Sequence, residues 1–205
     1  MIVIIDYGMG NLGSILNMCK FLNIEACISS DVETIKNAKK IILPGVGSFD
    51  TAMERIKKNG IQEVLNKKAL EEKIPFLGIC LGMQLLTNSS QEGSLPGLGW
   101  IDAEAIKFPE SRVLKVPHVG WNDAKPEKSD PMVNGLLEES RFYFVHSYFV
   151  TTNKNENSLM KTKYGVTFDS AISRGNIYGF QFHPEKSHKY GMKILQNFSE
   201  INKNE

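Results

Sequence analysis

The 205-residue sequence has few cysteines, almost no net charge and no long hydrophobic run. Its three cysteines form no C-x-x-C pair, which argues against a disulfide framework or a zinc site and favours a reducing compartment with free thiols. A net charge of +1 gives no electrostatic footprint for nucleic acid or a membrane surface. No apolar stretch has the length of a membrane span, and the start lacks the basic segment of a signal peptide. We therefore expect a cytoplasmic protein with no metal, nucleic-acid or membrane partner.

Short apolar runs alternate with amphipathic stretches through the first half of the chain. This pattern predicts strands over residues 2–5, 25–29, 41–43 and 74–80, and helices over 13–22, 32–38, 51–58, 61–73 and from 82. The second half predicts strands over 101–108, 142–150 and 158–162, a hairpin of 170–173 with 177–182, and a last helix over 189–201. We expect one α/β domain over residues 1–205, a parallel-core sheet flanked by helices with added antiparallel strands.

The segment IPFLGICLGMQLL, residues 74–86, runs from a predicted strand into a predicted helix. Its G-x-C-x-G pattern around Cys80 is the cysteine counterpart of the G-x-S-x-G nucleophile elbow. The glycines allow a sharp turn that presents Cys80 at the end of the strand, and a helix N-terminus favours the reactive thiolate. Cys80 is therefore a predicted nucleophile. The alternative is a small core residue, which is the usual role of a free cysteine.

The segment YGFQFHPE, residues 178–185, can supply a base and its orienting group. In an extended chain Gln181, His183 and Glu185 share one face, and Pro184 favours extended geometry at His183. We predict that His183 takes the thiol proton and later protonates the leaving amine. Glu185 would orient the imidazole and stabilise its charged form.

Acyl chemistry also needs N–H donors for the developing oxyanion. The backbone N–H of Leu81, directly after the nucleophile, is one candidate. The segment PGVGSF, residues 44–49, follows the strand at 41–43 and should lie beside the elbow. Glycines on both sides of Val46 would let a peptide flip and aim an N–H into the site, which makes Val46 and Gly47 the second candidate. The alternative is an ordinary tight turn.

Three segments, PGVG, GICLGMQLL and FHPEKS, in this order and at these separations, resemble the class I (triad) glutamine amidotransferases. Within that class the whole chain is similar to the glutaminase subunits of imidazole glycerol phosphate synthase, and VPHVGWN (116–122) and FYFVHSY (142–148) narrow the resemblance to them. The resemblance implies the class I amidotransferase fold. It also implies hydrolysis of L-glutamine to glutamate and ammonia through a thioester on Cys80, with His183 and Glu185 completing the triad and no cofactor.

The resemblance further implies two sets of contact residues. Substrate contacts correspond to Gln84, Glu92, His146 and Ser147. Contacts with a partner subunit correspond to Asn11, Trp121, Tyr143 and Lys186. The implied partner is a (β/α)8-barrel cyclase that forms a heterodimer with the glutaminase. It uses the ammonia to make imidazole glycerol phosphate and aminoimidazole carboxamide ribonucleotide in histidine biosynthesis.

A different function is suggested by Gly8, Gly10 and Gly13, which spell the G-x-G-x-x-G of a dinucleotide-binding turn, with Asp31 as its acid. That interpretation explains neither the elbow nor the H-P-E segment. We expect these glycines to form a tight strand-to-helix turn at the partner interface instead.

Other cysteine enzymes fit less of the sequence. A hydrolase or chaperone with an elbow cysteine is not expected to share H-P-E and PGVG, and a glutaminase of another pathway is not expected to share VPHVGWN and FVHSY. One alternative stays open: a paralogous glutaminase that supplies ammonia for sugar amidation in surface-polysaccharide synthesis. Residues 99–101 (GWI) and 187–189 (SHK) depart from the pattern of histidine-pathway members.

Overall fold

The computed structural model describes residues 1–109, 114–137 and 139–201. The helices are α1 (Leu12–Phe21), α2 (Val32–Lys36), α3 (Phe49–Lys58), α4 (Gln62–Asn66), α5 (Leu81–Leu85) and α6 (His188–Glu200), and α4 continues as a π-helical turn over Lys67–Glu71. The strands are β1 (Ile2–Ile5), β2 (Ala26–Ser29), β3 (Lys40–Gly45), β4 (Phe76–Cys80), β5 (Ser89–Ser90), β6 (Ala103–Lys107), β7 (His118–Asp123), β8 (Lys125–Pro126), β9 (Arg141–His146), β10 (Tyr148–Thr152), β11 (Ser158–Tyr164), β12 (Val166–Arg174) and β13 (Ile177–Phe180).

Across these described segments, eleven strands join in one mixed sheet. Its centre is a parallel set in the order β2-β1-β3-β4-β13. Strands β12, β10 and β6 extend the sheet in antiparallel pairing, while β7 and β9 form a separate antiparallel pair. The predicted parallel core with added antiparallel strands is confirmed.

The central strands are buried on both faces, as parallel strands covered by helices must be. Ile5 and Leu43 belong to the core layer that includes Phe49 of α3. Ile4 and Ile42, one residue earlier on the same strands, belong to the opposite layer with Ile15 of α1. Each such buried side chain contributes about 1.5–3 kcal/mol relative to exposure, so the sheet is held on both sides.

The segment predicted as one strand over residues 142–150 is two strands. Strand β9 pairs with β7 and ends at His146, while β10 begins at Tyr148 and joins the main sheet. The ring of His146 makes a 2.8 Å hydrogen bond from Nδ1 to the carbonyl of Tyr148. This local bond between neighbouring residues favours a bend over continued strand pairing.

The N-terminal glycine loop packs against residues 44–47. The hydroxyl of Tyr7 donates to the Pro44 carbonyl at 2.8 Å. Gly10 has φ +112°, and a Cβ there would lie 3.5 Å from Pro44. Gly13 is exposed on α1, with nothing within 4 Å of the position of an added Cβ. A dinucleotide turn uses its third glycine for close helix–strand packing, so this arrangement does not support the nucleotide interpretation.

Two glycine substitutions test this packing. Gly13→Ala should stabilise the protein by about 0.5–1 kcal/mol, because an exposed helical glycine gives way to a better helix former without a clash. Gly82→Ala should cost about 3 kcal/mol or more, because its Cβ would lie 1.8 Å from the Leu43 carbonyl oxygen. Urea unfolding of the two variants measures both effects. Destabilisation by Gly13→Ala would contradict this account.

Candidate active site

The predicted nucleophile lies at the carboxyl end of the central strand β4. Cys80 pairs with Gly45 at the end of β3, and its neighbour Ile79 pairs with Phe180 at the end of β13. The ends of these three parallel strands therefore bring residues 44–47, Cys80 and residues 181–185 to one edge of the sheet, as predicted.

The backbone at Cys80 is strained. Its φ is +56° and its ψ is −113°, a conformation that residues with a side chain rarely adopt. The flanking glycines make the turn possible, because a Cβ on Gly78 would lie 2.6 Å from the Gly82 carbonyl oxygen. The turn leaves Cys80 7% exposed, directly before the first residue of α5. This is the geometry of a nucleophile elbow.

His183 and Glu185 form a buried pair close to the nucleophile. His183 Nδ1 and Glu185 Oε1 are 2.8 Å apart, and the two side chains are 3% and 1% exposed. The pair was predicted from an extended chain, but β13 ends at Phe180 and Glu185 belongs to a 3₁₀ turn over Pro184–Lys186. Pro184 begins that turn because its fixed φ suits the first helical position. The turn, not strand alternation, brings the carboxylate to the ring.

The backbone around this pair is held by strand β9. The N–H of His183 donates to the Tyr143 carbonyl at 2.9 Å, and the N–H of Tyr143 donates to Ser187 Oγ at 3.0 Å. The Ser187 hydroxyl in turn donates to the His183 carbonyl at 2.6 Å. These bonds fix the imidazole relative to the sheet edge.

The imidazole of His183 is strongly basic in this setting. Burial alone would lower the pKa of His183, but the Cys80 and Glu185 side chains outweigh burial and raise that pKa from 6.5 to about 10. His183 is therefore an imidazolium at neutral pH, and its Nε2, together with Glu185 Oε2, has no hydrogen-bond partner among the described groups. The ring has the protonation state needed to donate to a leaving group.

One cavity of about 340 Å³ contains both Cys80 and His183. This volume lies at the lower end of the range for small-molecule sites. Its other lining residues are Val46, Gly47, Leu81, Gln84, Glu92, Pro117, Val145, His146, Ser147 and Tyr148. Every residue predicted for catalysis, the oxyanion or the substrate lines this cavity, except Glu185. Glu185 lies behind His183 and contacts its ring.

The oxyanion candidates lie where they were expected. Leu81 begins α5, so its N–H belongs to the first turn of a helix, where no intrahelical acceptor exists. Val46 is 43% exposed, and Gly47 has φ +108°, a left-handed conformation that favours glycine. A Cβ on Gly47 would also lie 2.7 Å from Met9 of the N-terminal loop.

The predicted substrate residues differ in what they can offer. Glu92 Oε2 accepts the N–H of Phe49 at 2.9 Å, so its carboxylate is fixed at the cavity by the start of α3. Gln84 is buried and donates from Nε2 to the Tyr148 carbonyl at 3.1 Å. His146 lines the cavity, but both of its ring nitrogens are used inside the protein.

His146 forms a buried pair with His118. His118 Nδ1 and His146 Nε2 are 2.9 Å apart, and Asn122 Nδ2 lies 3.3 Å from His118 Nε2. Burial lowers the pKa of His118 to about 4 and that of His146 to about 3, so both rings are neutral at pH 7. The tautomers follow from the bonds: His146 Nδ1–H donates to Tyr148, and His118 Nδ1–H donates to His146.

Three of the predicted partner residues lie together beside the site: Trp121 and Lys186 are exposed, and Tyr143 is half-buried. Trp121 stacks on His188 with ring centroids 5.4 Å apart, and Tyr143 meets Trp121 edge-on at 6.2 Å. The Lys186 ammonium lies 5.6 Å from the centre of the Tyr143 ring. Asn11 is exposed at the start of α1, a helix that packs against the turn carrying Lys186.

Sequence reasoning gave no role to two contacts in the site. Gln181 Nε2 donates to Cys80 Sγ at 3.7 Å, and the two histidines at 118 and 146 form their pair. For Gln181 the sequence indicates only that its side chain shares a face with His183. The histidine pair had none, because it depends on the register of β7 with β9, which sets His118 opposite His146.

A family model described as "Glutamine amidotransferase class-I" matches residues 3–201 of the chain. The chain belongs to the class I glutamine amidotransferases. It is thus an amidotransferase enzyme by family, and a helix long and apolar enough to cross a bilayer does not occur in the segments that the structure describes.

Relatives of this amidotransferase cover almost its whole length. An imidazole glycerol phosphate synthase subunit HisH 2 from Methanococcus maripaludis is 56% identical over 198 residues, 97% of this chain and 98% of that relative. A subunit of the same name from Pseudomonas aeruginosa is 47% identical, with 98% and 100% covered. The HisH subunit of Bdellovibrio bacteriovorus is also 47% identical, with 98% and 100% covered.

Solved structures confirm the fold of this amidotransferase at much lower identity. PurLQS from Thermotoga maritima superimposes with a TM-score of 0.73 at 18% identity, with 96% of each chain covered. The glutaminase domain of Trypanosoma brucei CTPS with bound acivicin gives a TM-score of 0.67 at 16% identity, with 98% of this chain and 94% of that one covered.

The buried imidazolium predicts how stability depends on pH. Above about pH 8.5 an unfolded chain has released both the His183 and the Cys80 protons, whereas the folded protein keeps the His183 proton until about pH 10. The folded state therefore binds more protons in this window, so the free energy of unfolding should fall as pH rises through it. Glu185→Gln should flatten this dependence, because it removes one charge that favours the imidazolium.

Urea unfolding across that pH window measures the slope. His188→Gln is the matched control, because it removes an exposed histidine beside Trp121 and leaves the buried pair intact. An unchanged slope in Glu185→Gln would contradict the assignment of His183 as a buried cation.

Proposed function

We propose that the chain is the glutaminase subunit of an imidazole glycerol phosphate synthase. It hydrolyses L-glutamine to glutamate and ammonia, and it passes the ammonia to a (β/α)8-barrel cyclase subunit in a heterodimer. The observation that carries this proposal is the elbow thiol of Cys80 in one cavity with His183, whose ring is bound by the buried carboxylate of Glu185. The names of the HisH relatives support the same assignment.

The geometry supports a thioester mechanism in two half-reactions. The Cys80 thiolate attacks the carbonyl carbon of the glutamine side-chain amide, and the resulting oxyanion accepts hydrogen bonds from the N–H of Leu81 and from the loop at Val46 and Gly47. His183 then donates its Nε2 proton to the leaving nitrogen, which departs as ammonia. A γ-glutamyl thioester remains on Cys80.

Water completes the cycle. The now neutral His183 takes a proton from water, whose oxygen attacks the thioester carbonyl, and the sulfur leaves as the thiolate while the imidazole again becomes a cation. Glu185 keeps the ring oriented through both steps. Glu92 is the group at the cavity suited to the substrate ammonium.

The surface that carries Asn11, Trp121, Tyr143 and Lys186 is the one that we assign to the cyclase. In the proposed complex the cyclase uses the ammonia to form imidazole glycerol phosphate and aminoimidazole carboxamide ribonucleotide. Tyr143 belongs to both this surface and the active site, since its ring contacts Trp121 and its backbone bonds to His183 and Ser187.

The second candidate function is that of a paralogue acting in sugar amidation, and one observation supports it. His188 adopts φ +46° and stacks on Trp121 within the proposed partner surface, in the segment where the sequence departs from the histidine-pathway pattern. The departure at residues 99–101 does not bear on the partner surface, because Trp100 is buried against Phe76 in the core. Complementation of a histidine auxotroph separates the candidates, because only the first forms imidazole glycerol phosphate.

Removing the nucleophile tests the activity. With the cyclase subunit present, Cys80→Ser should reduce ammonia release from L-glutamine by at least about a thousandfold. Cys27→Ser is the matched control, because Cys27 is a half-buried thiol on β2, outside the cavity, and it should leave the rate unchanged. Retention of activity in Cys80→Ser would exclude the thioester mechanism.

The resting backbone at Gly47 gives a second prediction. A flip of the Val46–Gly47 peptide rotates φ of Gly47 by about 180°, from +108° to about −72°, where any residue is comfortable. Gly47→Ala penalises the unflipped state by about 1–2 kcal/mol, so it should raise ammonia release without the cyclase about tenfold and reduce the stimulation that the cyclase gives. An equal fall in both rates would argue against gating by this peptide.

A further inference from the structure

Gln181 is the feature of the site that the mechanism above leaves unused. Its side chain is fully buried, and its Nε2 donates to the sulfur of Cys80 at 3.7 Å. On the basis of the proposed function, we infer that Gln181 is a further catalytic residue, whose amide N–H stabilises the thiolate form of Cys80. The chemistry is that of an amide donor on an anionic acceptor, and such bonds are stronger than those between neutral groups.

The polarity of the amide is set by the neighbouring hydrogen bonds. The Tyr148 carbonyl can only accept, so the side-chain group of Gln84 that faces it at 3.1 Å must be the NH₂ group. The same NH₂ group donates to Gln181 Oε1 at 3.0 Å. Gln181 must therefore turn its oxygen toward Gln84, which leaves its own NH₂ group facing the sulfur.

A second donor holds the Tyr148 carbonyl in place. His146 donates from Nδ1 at 2.8 Å, and His118 donates to His146 in turn. Because both rings are neutral at pH 7, this chain of bonds fixes the position of the Tyr148 carbonyl without adding a charge near the nucleophile. The Gln84–Gln181 pair is thus anchored to the backbone of Tyr148, the first residue of β10.

The sulfur has competing neighbours. The Val145 carbonyl lies 3.9 Å from Cys80 Sγ, and an oxygen acceptor there favours the neutral thiol, which can donate to it. The Gln181 N–H favours the thiolate. Water offers little compensation, because Cys80 is buried, with 7% of the residue exposed. Among the described residues, the titratable side chains that lie around the sulfur or line its cavity are His183, Tyr7, His146, Glu92 and Tyr148.

The pH profile of Cys80 alkylation tests the inference on the free chain. The rate with iodoacetamide is followed for the peptide that contains Cys80, so that Cys27 and Cys19 are counted separately. Gln181→Met keeps the size of the side chain and removes the donor. Its midpoint should lie about one pH unit higher, with the rate below the midpoint about tenfold lower and the high-pH plateau unchanged.

A matched control removes a buried amide elsewhere. Asn197 on α6 is buried and donates to the carbonyls of Met132 and Asn134. Asn197→Leu should lower the stability of the fold without moving the midpoint for Cys80. A shift of equal size in this control would overturn the inference, because it would assign the effect to loosened packing.

A double variant covers the possibility that Gln181→Met fails to fold. Gln84→Met combined with Gln181→Met removes both members of the amide pair, so no buried N–H of Gln84 is stranded, and it should show the same upward shift. An unmoved midpoint in the variant that folds would overturn the role of Gln181 while leaving the proposed glutaminase intact. If Cys80 of the unaltered chain reacted like a cysteine in an unfolded peptide, the nucleophile assignment and this inference would both fail.

Discussion

The structure depends on one close approach, that of helix α5 to the ends of strands β3 and β4. A side chain at Gly82 would collide with the Leu43 carbonyl, and one at Gly78 would collide with the Gly82 carbonyl. Because both positions are glycine, the chain can turn sharply enough to place Cys80, at φ +56°, at the edge of the sheet. The loop at residues 44–47, His183 and the cavity are all placed relative to that turn, through the pairing of β4 with β3 and β13.

The polar groups around the elbow are buried, so little water is available to screen their charges. His183 carries a proton because Cys80 and Glu185 stabilise its charge against the cost of burial. His118 and His146 have no such partners, and burial keeps them neutral. Two buried pairs in one small region thus differ in charge: His183 beside Glu185 is a cation, whereas His118 and His146 are neutral. Only the first pair offers a charge for the proposed catalysis.

Much of the site could be predicted from the sequence, because its parts are local patterns. The elbow needs two glycines around a cysteine, and the order of strands in a parallel sheet brings residues 44–47 beside Cys80. The features that were not predicted are two local turns and one long-range contact. The 3₁₀ turn at Glu185 replaces the extended chain that was expected, and the break at Ser147 divides one predicted strand between two sheets. The contact of Gln181 with Cys80 joins residues 101 positions apart, so no local pattern could indicate it.

The central claim is that the sulfur of Cys80 carries the glutamyl group during turnover. Acid quenching of the chain with the proposed cyclase subunit and L-glutamine, followed by mass spectrometry of the proteolysed protein, tests this directly. The account predicts an added γ-glutamyl group on the peptide that contains Cys80, and none on the peptides of Cys19 or Cys27. Ammonia release with no adduct at Cys80, or with an adduct on another residue, would contradict it.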